Sequence, residues 1–156
     1  MKQSLTFLKQ LCVLLLFVGL SACGSNSDTL KAEIEENMQS VSDQLTALNS
    51  TKMEQESVVD GLEEDLKWEY SPEFETAVKA YVAEVDNLKE NIAELDAIYD
   101  ALGGYLVKLN AGPLEFSQTL IEEMAEEKID RAEEISADNE EIQEKLYDLG
   151  DKIDEL

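Results

Sequence analysis

Carboxylates and one usable thiol are the side chains in this sequence with evident chemical potential. There are 36 Asp and Glu against 12 Lys and Arg, and no histidine, which removes the commonest general base and the commonest transition-metal ligand. The acids cluster as Glu63-Glu64-Asp65, Glu122-Glu123, Glu126-Glu127 and Asp138-Asn139-Glu140-Glu141. Calcium is the cation such groups invite. None of them follows the D-x-D-x-D-G spacing with a closing glutamate that folds a loop around the ion, and neighbouring carboxylates on a helix point in different directions. They read as solvated helix faces. A carboxylate pair could also hydrolyse a glycosidic bond, but that chemistry needs a cleft, which slender helices do not offer. No Gly-rich phosphate loop, nucleophile elbow or Cys/His metal spacing occurs. The sequence therefore predicts a non-enzyme with no catalytic residue, no metal site and no cofactor.

The thiol is Cys23, directly after Leu20-Ser21-Ala22. Ahead of it, Lys2 and Lys9 precede an apolar run over 11–22 that ends in small residues, the layout of a secretory signal. The run falls short of the roughly 20 residues that span a bilayer. This segment resembles the lipobox of bacterial lipoproteins, a family defined by its signal rather than its fold. The resemblance implies that Leu20, Ser21 and Ala22 form the signal peptidase II recognition site, that residues 1–22 are removed, and that Cys23 carries a diacylglyceryl thioether. Two acyl chains hold a protein firmly, since each buried methylene contributes ~0.8 kcal/mol and a single chain is marginal. Gly24 stands where an aspartate marks inner-membrane retention. The resemblance thus implies the outer membrane in a two-membrane host and the outer face of the plasma membrane in a single-membrane one. The plainer alternative is an ordinary cleaved signal or weak anchor with an incidental cysteine.

Loss of residues 1–22 leaves 10 basic and 36 acidic residues, a formal charge of −26. That charge excludes nucleic-acid binding through phosphates and disfavours anionic head groups. It suits either a repulsive, solubilising surface or a docking face for a basic partner or for divalent cations. Cys12 leaves with the signal and Cys23 is taken by lipid, so the mature chain is expected to contain no disulfide.

Helices must carry whatever this surface does. After a polar leash over 23–28, the fold class expected is all-α: an up-down-up antiparallel, coiled-coil-like bundle of three long amphipathic helices over 29–156, at about 29–69, 72–110 and 113–156. The first shows apolar residues spaced three and four apart, Ile34, Met38, Val41, Leu45, Leu48, Val59, Leu62 and Leu66, with Lys52 and Gln55 making its centre polar. Ser71-Pro72-Glu73 is a helix start. The second helix has the cleanest pattern, with Phe74, Val78, Tyr81, Val85, Leu88, Ile92, Leu95, Tyr99 and Leu102 at every seam position, continuing through Leu106 and Leu109. Gly103-Gly104 could end that helix or mark a close backbone approach, and the unbroken register favours continuation. Asn110-Ala111-Gly112-Pro113 is the second break. In the third helix the seam runs Leu114, Ile121, Ala125, Ala132, Ile135, Ile142, Leu146, Leu149, Ile153 and Leu156. Gln118, Lys128 and Asn139 interrupt it, so its middle is expected to be the least firmly packed part.

Trp68 and Tyr70, near Phe74 at the far tip, are candidate partner contacts, with plugging the end of the core as the plainer role. The small helical murein-type lipoproteins are similar in having a lipobox followed by heptads. This chain departs from them in its two breaks and in closing on Glu155-Leu156 without lysine, so covalent attachment to peptidoglycan does not carry over. The functional expectation is a membrane-tethered scaffold or partner-binding module. Self-association through the helix seams is the other use of the same pattern. A phage or plasmid exclusion or immunity lipoprotein and a cation-binding envelope protein are the alternatives.

Overall fold

The structure is a computed structural model and describes residues 26–68, 71–111 and 118–156. Three helices make up nearly all of it: α1 (Asn26–Asp65), α2 (Pro72–Asn110) and α3 (Gln118–Asp154). They have 40, 39 and 37 residues, so each is about 55–60 Å long at 1.5 Å per residue. Residues 1–25, Cys23 among them, and Tyr70, Pro113 and Leu114 lie outside the described residues.

Local chemistry explains the ends. Ser71 is in the extended region, and its hydroxyl accepts a 3.0 Å hydrogen bond from the Phe74 backbone N–H. Pro72 then occupies the first helical position, where its missing donor costs nothing. At the other end the Ala111 N–H donates to the carbonyls of Val107 and Lys108, with Lys108 in the negative last turn. Helix α2 runs unbroken through Gly103-Gly104. A Cβ at Gly103 would lie 3.4 Å from Met38 Cε, and one at Gly104 would meet nothing within 4 Å.

The helices pack as an antiparallel three-helix bundle with α2 as the shared partner. Cross-helix pairs show the direction: Arg131 meets Glu94, Asn139 meets Asn91 and Lys145 approaches Glu84, one number rising as the other falls. Met38 lies against Gly103 at one end of α1, and Tyr81 donates its hydroxyl proton to Gln55 toward the other. Helices α1 and α3 each pack extensively on α2 and touch one another far less. The core follows from this: Leu88, Leu95 and Leu102 are fully buried at seven-residue intervals, with Ile34 of α1 and Ile135 of α3 equally enclosed.

Two expectations need correction. The buried face of α2 leaves the seven-residue register near its end, where Ile98 and Tyr105 are buried while Tyr99, Leu106 and Leu109 are only partly so. A straight helix of 3.6 residues per turn drifts ~20° per heptad against a 3.5 repeat, and a helix with partners on two sides buries a wider stripe. The middle of α3 is not its loosest part. Ala132, Ile135 and Ile142 are buried around Asn139, itself 2% exposed. The loose half belongs to α1. Past Leu48 none of its described residues is buried, and Val59, Leu62 and Leu66 are half-covered, because Lys52 and Gln55 occupy the seam there.

Asn139 Oδ1 accepts a 3.0 Å hydrogen bond from Asn91 Nδ2, while Asn139 Nδ2 is buried with no partner. Leaving such a donor unmatched costs ~1–3 kcal/mol, but an off-centre polar pair penalises every other sliding register of α3 on α2. Leu95→Ala should destabilise the bundle by ~2–5 kcal/mol, and Gly104→Ala should stabilise it by about 1 kcal/mol, having open space and better helix propensity. Denaturant melts followed by circular dichroism read both.

Candidate functional site

Trp68 is the sequence candidate whose position is most informative. Helix α1 ends at Asp65, and its last turn tightens into two three-residue closures, Lys67 N–H to Glu64 O at 3.1 Å and Trp68 N–H to Asp65 O at 2.9 Å. Two residues past the seam position Leu66, Trp68 is 83% exposed. It does not plug the core. Leu62, Leu66 and Phe74, all half-buried, pack against the core at that end. Phe74 therefore parts company with Trp68: one caps the core, the other faces water. Leu20, Ser21, Ala22, Cys23 and Tyr70 lie outside the described residues.

The acidic clusters stay apart. Glu63, Glu64 and Asp65 are exposed, as are Glu126, Glu127, Glu140 and Glu141. Among the described residues no group of three or more Asp, Glu, Cys or His could hold a metal ion. Depressions on the surface are shallow grooves between helices. One lies between α1 and α2 and includes Leu45, Asn49, Met53 and Tyr99; another, between α2 and α3, includes Glu84, Asn91, Glu141 and Lys145. Neither brings together a nucleophile, a base and a polar cradle, the minimum for a chemical step.

Charge at this surface is organised in pairs across helices. Arg131 grips Glu94 with two hydrogen bonds, Nε to Oε1 at 2.8 Å and Nη2 to Oε2 at 2.9 Å, and reaches Glu134 with Nη1 at 3.0 Å. The hydrogen bonds from Arg131 hold the Glu94 carboxyl below the usual carboxylate range. Lys145 has its ammonium pKa raised, first by a hydrogen bond to Glu141 and then by the charge of Glu84. Burial, followed by the nearby Glu54 carboxylate, pushes the Tyr81 phenol up. The contacts that cross helices, Arg131 with Glu94, Lys145 with Glu84 and Tyr81 with Gln55, fix the helices' register.

Sequence spacing did not reveal the α1–α2 groove, because it arises where two faces meet. Its one advance signal was Met53, an apolar residue off the seam that is 69% exposed. No family model matches the chain, and no curated protein or solved structure matches it. Among the described residues no helix is long and apolar enough to cross a membrane.

The carboxyl of Glu94 has a lower pKa folded than unfolded, so its contribution to stability is present above the ordinary carboxyl titration and lost as pH falls through the folded value. Glu94→Gln should lower the melting temperature at neutral pH, and the gap to wild type should close in acid. Tyr81 has the opposite sign: its contribution is present below the ordinary phenol range and lost as pH rises through the raised value. Tyr81→Phe should therefore narrow the stability loss between neutral and strongly alkaline pH. As the chain's single tryptophan, Trp68 should emit as a solvated indole and be quenched freely by acrylamide.

Proposed function

We propose that the mature chain is a lipid-tethered, non-enzymatic helical protein of the bacterial envelope that holds a partner-binding tip away from the membrane. The observation that carries this is Leu20-Ser21-Ala22-Cys23 at the close of a basic, apolar, small-residue segment. Cys23 is the lipidated residue in this reading, and Leu20, Ser21 and Ala22 are its processing signal. The implied place is the outer membrane of a two-membrane host, or the outer face of the plasma membrane otherwise.

Geometry supports the division into tether and tip. Helix α1 begins at Asn26, three residues past Cys23, and ends at Asp65, so Trp68 stands about 60 Å along the bundle from the anchored end. A stiff rod of this kind separates its two ends at little entropic cost. The tip offers an exposed indole, a side chain enriched where partners bind. The acidity of the remaining surface suits a basic partner.

Metabolic labelling with a clickable fatty acid tests the tether. Wild type should incorporate label and sediment with membranes, and Cys23→Ala should do neither; label retained by the variant would remove the basis of the assignment. Trp68→Ala should leave stability within ~0.5 kcal/mol, as for an exposed side chain, while reducing crosslinking of a photo-reactive tip to neighbouring envelope proteins.

A further inference from the structure

Charge is spread unevenly along the rod. At the end where α1 begins, α2 ends and α3 begins, the described residues 26–32, 101–111 and 118–121 carry one acid, Asp28, against Lys31 and Lys108. Asp28 and Lys31 approach to 3.8 Å. Between Ala101 and Ile121, 21 consecutive residues, the only acid is Glu115, which brings this end to neutrality. The opposite end, over 60–75 and 148–156, sets eleven acids against Lys67 and Lys152. A chain with a formal charge of −24 thus has one end without net charge and one that is strongly acidic.

The neutral end also shows apolar groups to water: Val107 is 70% exposed and Leu120 49%. Apolar side chains left open on an uncharged end mark a contact surface. The position of Cys23 says which surface meets it. Three residues separate Cys23 from Asn26, a span of at most about 10 Å, so an anchored chain holds this end against the bilayer. The acidity that keeps the rest of the molecule off head groups is missing here. Lys108, its ammonium 5.5 Å from the Tyr105 ring centroid, adds a cation on a long apolar stem, the kind of side chain that suits a membrane boundary. Counted from Met38 beside Gly103, α1 reaches about 8 Å farther than α2 toward this end. Contact through α2 and α3 therefore leans the rod toward their side.

We propose that this neutral end is a second membrane contact, with Val107 and Leu120 seated among the head groups of zwitterionic phospholipids and the acidic end projecting outward. The contact rests on the lipid tether at Cys23 and adds orientation to it. Acyl chains alone fix a point and leave the rod free to swing; a second contact beside them sets the lean of the rod and the direction in which Trp68 is presented.

The test is a fluorophore on a single introduced cysteine, in protein purified from membranes and placed in phosphatidylcholine vesicles that contain a lipid with a nitroxide on its head group. Val107→Cys reports the neutral end. Tyr147→Cys, also at a position 70% exposed but roughly 40 Å along α3 from Gln118, is the reference. The nitroxide lipid should quench the label at 107 about threefold or more above that at 147, as for a group at the head-group layer. Leu120→Glu should reduce the quenching at 107 about twofold, with helix content and fatty acid unchanged. Equal quenching at the two positions, or no response to Leu120→Glu, in a chain that keeps its fatty acid would overturn the contact and leave the tether standing. A chain without fatty acid that leaves the vesicles would overturn the tether and this contact with it. Quenching at 107 that ignores the nitroxide lipid and grows with protein density would give the patch to a second copy and overturn the proposal too.

Discussion

Burial of a single stripe on α2 is the interaction on which the rest of this molecule depends. Leu88, Leu95 and Leu102 have no exposed surface, and each is covered from both sides because α1 and α3 lean on α2 rather than on each other. An isolated helix of this length would be marginal in water, since most helical stability comes from packing an apolar face. Helices α1 and α3 have weak seams of their own, α1 losing its apolar run after Leu48 and α3 spending seam positions on Asn139 and Lys128. They are ordered largely by what α2 presents to them.

That arrangement works against a strong opposing force. A formal charge of −24 on a bundle of this size favours expansion, and the chain has few cations with which to offset it. Three of them bridge helices: Arg131 to Glu94, Lys145 to Glu84, Lys89 to Glu56. Exposed pairs contribute little individually. Their value here is as registers, alongside Asn91 with Asn139 and Tyr81 with Gln55. Apolar seams alone would tolerate sliding by a heptad; polar pairs at fixed heights would not.

Much of the architecture was legible in the residue pattern. The three segments, the Ser71-Pro72 start, the continuation through Gly103-Gly104 and the burial of Asn139 all follow from periodicity and capping chemistry, which are local. What the pattern missed is where two or three helices act on one residue. Ile98 and Tyr105 replace Tyr99 and Leu106 in the core because a two-sided helix and its drift widen the stripe. Trp68 faces solvent while Leu62, Leu66 and Phe74 pack against the core at that end. The candidate surface was half legible: Trp68 was named from its type and place, whereas the α1–α2 groove was not, as neither wall is unusual by itself.

The sequence alone determined the number of helices, their limits to within a few residues and the acidity of the surface, since all of these depend on residues close together along the chain. Tertiary structure decided which half-covered seam residues stay wet, which polar pairs lock the register and where the surface opens into a groove. Those depend on distances between residues far apart in number, which only the packing of α1 and α3 on α2 sets.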